Sequence, residues 1–409
     1  RKGAWNIPVY ETPEKQSNNN IRAKGLGKFS KTSLNLYISC PRAYMFGELV
    51  RGQDSESTVL GNMLHEFAEF CLCYPDAAKE NINECENMIS EVCAGISCPE
   101  RSDVDRSRIR ISIMNMIRFI DSLRIKDVPL NVDVSSKRGM NRFFERFSIN
   151  KTTDMAERDH VSPECPLHGE FDLLVGSRII DYKTGRPHST SEISNKMDIR
   201  KDNDHFEMQP FVYLAILDGL IPEGTKEFVL FYVLDNDAEA AADPDFNIMK
   251  NTRTVRLLDM DRAEFVRRGL LLDLVTDTKS REFIKGIGEG FNNALLEAGI
   301  GNAGDWPSDG MLCERICSLF GKMTKKEREE IPKAIKMASE YITGCFINTK
   351  NEVIILRESI NGFKDYVKKV HSQADAQQVA GFPYGPRKDC KKCDSFDICT
   401  GGDSDDDAE

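Results

Sequence analysis

The chain has 409 residues, 30% charged and 40% hydrophobic, which supplies apolar material for one large core or for two or three smaller ones. Its 55 Lys and Arg against 66 Asp and Glu leave a net charge of −11, which taken alone argues against a nucleic-acid partner. No run approaches the roughly eighteen apolar residues of a membrane span, and no apolar signal region follows Arg1, so a cytoplasmic protein with no membrane contact is expected.

Thirteen cysteines in such a reducing compartment read as small core residues or metal ligands rather than disulfides. Residues 1–29 are polar, with six basic side chains against two acidic ones, and read as a basic linker or arm. The absence of an initiator Met suggests a piece of a longer polypeptide. Two helices are expected next, 30–49 with Ser33 as a candidate cap, then 60–73, where Leu60, Met63, Leu64, Phe67, Ala68 and Cys71 recur at helical spacing.

Residues 76–127 continue helical. From Asn141 the period changes, predicting strands at 143–149, 171–175, 178–183, 228–234 and 254–258. The polar stretch 186–205 reads as a mobile loop and 208–217 as a helix. Beyond Asp261 the pattern is mostly helical to Ala380, with one further candidate strand at 353–356. Helices, a mixed sheet and helices again give an α/β or α+β core, spanning 30–279 and completed by 352–400, with a mainly helical insertion at 280–351. Residues 401–409 form an acidic tail carrying five of the excess negative charges.

The most informative segment runs from Gly169 to Gly185. Two apolar strands are joined by Gly176-Ser177, a two-residue connection that favours a tight hairpin. Counting outward from that turn pairs Val175 with Arg178 and Asp172 with Asp181. Opposed side chains share a face with Cβ atoms about 5 Å apart, where like charges destabilise, so a cation is expected between the acids. Two carboxylates make a hard oxygen site suited to Mg2+ or Mn2+. Lys183, two residues past Asp181, falls on the same face. Such a trio suits phosphodiester hydrolysis; a solvated polar hairpin face is the alternative. Glu170 also falls on this face, opposite Lys183, and a cross-strand salt bridge is expected of it rather than ligation.

Gly169-x-x-Asp172 followed by Asp181-Tyr-Lys-Thr-Gly185 resembles the RecB-like branch of the PD-(D/E)XK nuclease superfamily. The resemblance implies an α/β fold: a PD-(D/E)XK (restriction-endonuclease-like) core with a mixed central sheet flanked by helices, plus the helical insertion. It makes Asp172, Asp181 and Lys183 catalytic. Two further family motifs are present, a helix carrying His65 and Glu69 after Gly61, and a Gln209-x-x-x-Tyr213 helix. By resemblance His65 and the main-chain carbonyl of Tyr182 join Asp172 and Asp181 on the metal, an imidazole favouring Mn2+ more than oxygen alone does. Glu69, Gln209 and Tyr213 would surround that site or reach DNA.

Near the C-terminus, Cys390-x-x-Cys393 and Cys399 supply three thiolates. The iron-sulfur members of the family, which include AddB-like nucleases and the CRISPR-associated adaptation exonuclease, take a fourth from a distant Cys-Pro-Arg-x-Tyr, matched here by Cys40-Pro-Arg-Ala-Tyr44. A [4Fe-4S] cluster on Cys40, Cys390, Cys393 and Cys399 is therefore implied, with zinc as the chemical alternative. Arg42 and the bases around Cys390 could track phosphate. The other nine cysteines are expected to fill core.

The resemblance covers roughly 30–235 and 380–400. It implies a DNA exonuclease acting on single-stranded ends, in repair and recombination or in CRISPR spacer acquisition, with a helicase or CRISPR adaptation proteins as partners. A nuclease module of a larger helicase-nuclease is one alternative, and the chain carries no phosphate-binding motor loop of its own. A non-catalytic iron-sulfur DNA-binding scaffold and a redox sensor are the others.

Overall fold

In the computed structural model, Gly176 takes φ +60° while Ser177 does not, the type II′ pattern that matches the twist of paired strands. The pairs Val175↔Arg178, Leu174↔Ile179 and Leu173↔Ile180 follow as the turn requires, joining His168–Val175 (β4) to Arg178–Lys183 (β5). The residues described are 27–47, 56–94, 106–131, 141–149, 151–197, 207–236, 243–268, 346–348 and 350–380, with a few isolated positions besides.

This hairpin lies within a seven-stranded mixed sheet of order β3-β4-β5-β6-β7-β9-β8. Ala156–Val161 (β3) pairs antiparallel with β4, and Lys226–Tyr232 (β6) runs parallel to β5. Thr252–Leu258 (β7), Phe346–Ile347 (β8) and Val353–Leu356 (β9) complete it. Leu130–Asn131 (β1) and Thr152–Thr153 (β2) form a separate ribbon.

Helices cover both faces because the central strands are apolar on both. On one face Leu173, Ile180, Val229 and Phe231 pack against Glu56–Cys73 (α3), Ile82–Ala94 (α5) and Arg106–Ser122 (α6). On the other, Phe171, Ile179, Phe228, Leu230, Val255 and Ile355 pack against Lys31–Ser39 (α1), Thr190–Met197 (α8), Gln209–Leu220 (α9) and the long Arg357–Ala380 (α11). Short helices Pro41–Gly47 (α2), Pro75–Glu80 (α4), Arg142–Arg146 (α7) and Arg262–Arg267 (α10) fill the connections. No helix among the described residues is long and apolar enough to cross a membrane.

Several expectations change. The single helix 30–49 is two, because Pro41 has no N–H to continue α1 and instead begins α2. Ser30, not Ser33, caps α1, and Ser33 answers from the third position by accepting the Ser30 amide. The predicted strand 143–149 is instead helix α7 to Arg146 followed by a turn: Asn141 Oδ1 accepts the amides of Phe143 and Phe144, a cap that overrides the aromatic run. The stretch read as a mobile loop contains α8, started by reciprocal bonds between Ser189 and Glu192. Strand β3 is too polar to have been read as one. Phe346-Ile347, inside the expected helical insertion, pairs with β9 in the sheet. The rest of that insertion to residue 345, the arm to residue 26, the acidic tail, Cys390, Cys393 and Cys399 lie outside the described residues.

One buried ion cluster fixes α9 and α11 to the sheet. Asp218 of α9, 2% exposed, meets Lys226 of β6 at 2.9 Å, Lys364 of α11 at 2.6 Å, and Arg357. Glu164 and Asp259 engage the outer sides of Lys364 and Arg357. Asp218→Asn, which leaves Lys226 and Lys364 buried without their counter-charge, should lower the unfolding free energy by about 3–5 kcal/mol in urea melts. Burial opposes ionisation of Asp218, but its three cationic hydrogen-bond donors outweigh it and hold the carboxyl below its ordinary 3.8. The stabilisation is therefore complete above that pH and is lost as pH falls through the lowered folded value, so wild type and Asp218→Asn should converge in acid.

Candidate metal centre

Three carboxylates stand in a row across adjacent strands: Glu157 on β3, Asp172 on β4 and Asp181 on β5. The ladders place them so. Ala156↔Leu173 and Arg158↔Phe171 bracket the Glu157 and Asp172 level, and the β4–β5 ladder ends at Leu173↔Ile180, one step short of Asp172 and Asp181. Beyond that step the two strands fork. The Tyr182 amide, deprived of a ladder partner across the fork, donates to Asp172 Oδ2 at 2.7 Å.

Helices on both faces of the sheet reach into this fork. From α3, His65 Nδ1 lies 3.1 Å from Glu157 Oε1 and 3.5 Å from Asp172 Oδ1, with the Tyr182 ring edge-on to the imidazole at 5.6 Å. One potential ligand atom from each of His65, Glu157 and Asp172 lies within 4.8 Å of the others. From α9, Gln209 Nε2 donates to Asp181 Oδ1 at 2.5 Å, and Gln209 Oε1 accepts from Lys183 Nζ at 2.9 Å. Lys183 Nζ also sits 2.6 Å from Asp181 Oδ2 as an ion pair.

The electrostatics follow from crowding acids at 8% and 4% exposure, the values for Asp172 and Asp181. Burial, reinforced by Asp181 and Glu157, pushes Asp172 up to about 7 against the pull of His65. Burial would lower His65, but the charges of Asp172, Glu157 and Asp181 outweigh it and raise the imidazole to about 9. Lys183 is likewise raised: burial opposes its charge and Asp181 more than compensates. With His65 neutral, the three carboxylates against one ammonium leave two negative charges, which one divalent cation cancels. This donor set of buried carboxylate oxygens with one imidazole fits Mg2+ or Mn2+.

A family model for the PD-(D/E)XK nuclease superfamily matches residues 28–400. The chain belongs to the PD-(D/E)XK nuclease superfamily. No curated protein and no solved structure matches it significantly. As a PD-(D/E)XK protein it is a metal-dependent nuclease, a hydrolase acting on DNA, and its helix-flanked mixed sheet is the expected fold. Net charge was thus a misleading guide to its partner.

Within this PD-(D/E)XK core, the residues singled out in sequence are distributed unevenly. His65, Asp172, Asp181 and Lys183 converge, with Tyr182 beneath His65. Gln209 touches both Asp181 and Lys183. Tyr213, expected around the metal site or at DNA, donates to the Glu170 carbonyl at 3.0 Å on the strand that carries Asp172 and lays its ring on Gly169, where a Cβ would lie 3.0 Å from it. A side chain there would press on Tyr213 and Ile216 of α9, so glycine eases the approach of α9 to β4. Glu69 turns from the fork to hold Asn141 and Thr152, and burial, opposed by the Asn141 bond, pushes it up to about 7. Glu170 pairs across to Asp159 of β3, and Lys183 turns instead to Asp181 and Gln209. Cys40, buried, stands at the α1–α2 junction, and Arg42 is half-buried on α2. Glu157 escaped the sequence reading; its only signal was a polar pentad upstream of the hairpin.

A cation held by His65 would need the imidazole neutral, and His65 holds its proton to about 9, so Mn2+ binding there near pH 7 should release protons. Calorimetry in buffers of different ionisation heat should register that release, and Mn2+ affinity should rise from about pH 6 to 9. An affinity independent of pH over that range would contradict it.

Proposed function

We propose that the chain is a RecB-like exonuclease that hydrolyses single-stranded DNA from its ends, using Mg2+ or Mn2+ and carrying a structural [4Fe-4S] cluster. The convergence of His65, Asp172, Asp181 and Lys183 in the fork between β4 and β5 carries this reading. His65, Asp172, Asp181 and the Tyr182 carbonyl hold the cation. When bound, it acidifies a water and offsets charge on the phosphoryl oxygens.

The Lys183 ammonium orients the attacking water and stabilises the charge that develops as its oxygen bonds to phosphorus and the leaving oxygen departs in line. Gln209 fixes the Lys183 rotamer through its carbonyl and Asp181 through its amide, and Tyr213 braces the strand that carries Asp172. These two residues act by positioning. The single-stranded preference, and a setting in DNA repair or CRISPR spacer acquisition with helicase or adaptation-protein partners, rest on the RecB-like motif pattern.

Two observations support the cluster. Tyr37 Oη donates to Gln377 Oε1 at 2.7 Å and the Phe29 ring meets His371 at 5.6 Å, so α1 lies along the last turns of α11, whose end is ten residues before Cys390. Cys40 lies one turn beyond Tyr37, buried at the α1–α2 junction, and accepts the Ala43 amide on Sγ at 3.4 Å. Such a cluster would staple the N-terminal helices to the C-terminal segment.

Incubated with end-labelled single- and double-stranded DNA and Mn2+ or Mg2+, the protein should shorten single strands from their ends. Lys183→Ala should lower kcat about 10²–10³-fold. Gln209→Ala should lower kcat about tenfold with KM little changed, since only the alignment of Lys183 and Asp181 is lost. Cleavage by Lys183→Ala at the wild-type rate would sink the site assignment. Anaerobically purified protein should contain iron and sulfide, absent from Cys393→Ala; stoichiometric zinc in their place would replace the cluster with a four-cysteine zinc site.

A further inference from the structure

Glu157 is held in a conformation that its strand does not favour. Its φ is +49°, in the left-handed region that a glutamate rarely occupies, yet the β3–β4 register continues from Ala156↔Leu173 to Arg158↔Phe171 with no inserted residue. The left-handed residue therefore marks no bulge.

It marks a change of face. Ala156 packs among the residues under α3, α5 and α6, whereas His160, four positions on, stacks at 4.4 Å on Phe171, which belongs to the opposite layer. Strand alternation would keep positions 156 and 160 on one face. Strand β4 changes face at the same level, with Phe171 in one layer and Leu173 in the other. Regular alternation from Ala156 would turn Glu157 away from α3. The observed backbone turns it toward α3, onto His65.

A strained residue of this kind persists only where its surroundings over-determine it, and nearby acids make this a costly place for another carboxylate. We infer that Glu157 is a direct ligand of the divalent cation, completing with His65 and Asp172 the side of the site nearest α3, while Asp181 and Lys183 form the side nearest α9. The inference rests on the metal-dependent reading of this fork and adds a third carboxylate to it. Glu157 Oε1 already meets the His65 imidazole at 3.1 Å, so both would face the same cation. A ligand set of three carboxylates and one imidazole suits a cation that accepts both oxygen and nitrogen, such as Mn2+.

The test is Mn2+ binding by calorimetry, with thermal melts in the presence and absence of Mn2+, for wild type, Glu157→Gln, Glu157→Gly and Asp172→Asn. Glutamine can still accept a hydrogen bond from His65, so a purely structural role would survive Glu157→Gln. Ligation predicts Mn2+ binding weakened about tenfold or more in both Glu157 variants, comparable to Asp172→Asn. It also predicts metal-free melting temperatures no lower than wild type, and a smaller rise on adding Mn2+. Glycine, at ease at this φ, should give the most stable metal-free protein. Wild-type Mn2+ affinity in Glu157→Gln, with binding lost in Asp172→Asn, would overturn the inference and leave the nuclease reading intact. Both variants melting lower without metal while binding Mn2+ as wild type does would assign Glu157 to structure and likewise overturn it. A wild-type protein that binds no Mn2+ would remove the cation site itself, and the inference with it.

Discussion

Like charges gathered where two strands part company set the terms for the rest of this molecule. The β4–β5 ladder stops at Leu173 and Ile180, and the space that opens beyond is lined by buried carboxylates whose mutual repulsion no hydrophobic packing can relieve. Relief has to come from groups carried by other elements. The two helical layers each deliver one: His65 from α3 on one face, Gln209 from α9 on the other, with Lys183 supplied by the strand itself. The three-layer architecture is what allows groups from both sides of a sheet to meet at a single edge-on opening.

The parts of the site that were legible in sequence are those set by short-range geometry. A two-residue turn and a period of two suffice to place Asp172, Asp181 and Lys183 together, and the turn has the conformation that Gly176-Ser177 dictates. His65, Gln209 and Tyr213 were found through their resemblance to family motifs, since the i,i+4 spacing of each pair fixes a helix face and not what that face meets. So Tyr213 could be located but its partner could not: the Glu170 carbonyl is brought close only when α9 settles on Gly169.

Glu157 was invisible for a different reason. Its direction depends on a left-handed backbone that no local preference of Glu-Arg-Asp announces, imposed by pairing with β4 and by the face change there. The misread helix α7 shows the reverse: Asn141 and two adjacent aromatics were a local signal for a cap, outweighed in the reading by the β-propensity of Phe. The bonds between Ser189 and Glu192 that begin α8 were equally readable. Net charge failed because it averages over the whole chain, whereas the acids that matter are concentrated where a cation is wanted.

Helix α9 has a mechanical consequence. Gln209 and Asp218 stand at its two ends, about 14 Å apart at 1.5 Å per residue, one gripping Asp181 and Lys183 and the other sunk in the ion cluster that joins β6 and α11. A rod pinned at both ends has no freedom to slide along its axis or roll about it, so the position of the Lys183 ammonium is set partly by side chains at the other end of α9. The fork thus inherits the alignment of Gln209 from an anchorage about two and a half helical turns away, where loss of one buried charge would loosen both ends of the rod at once.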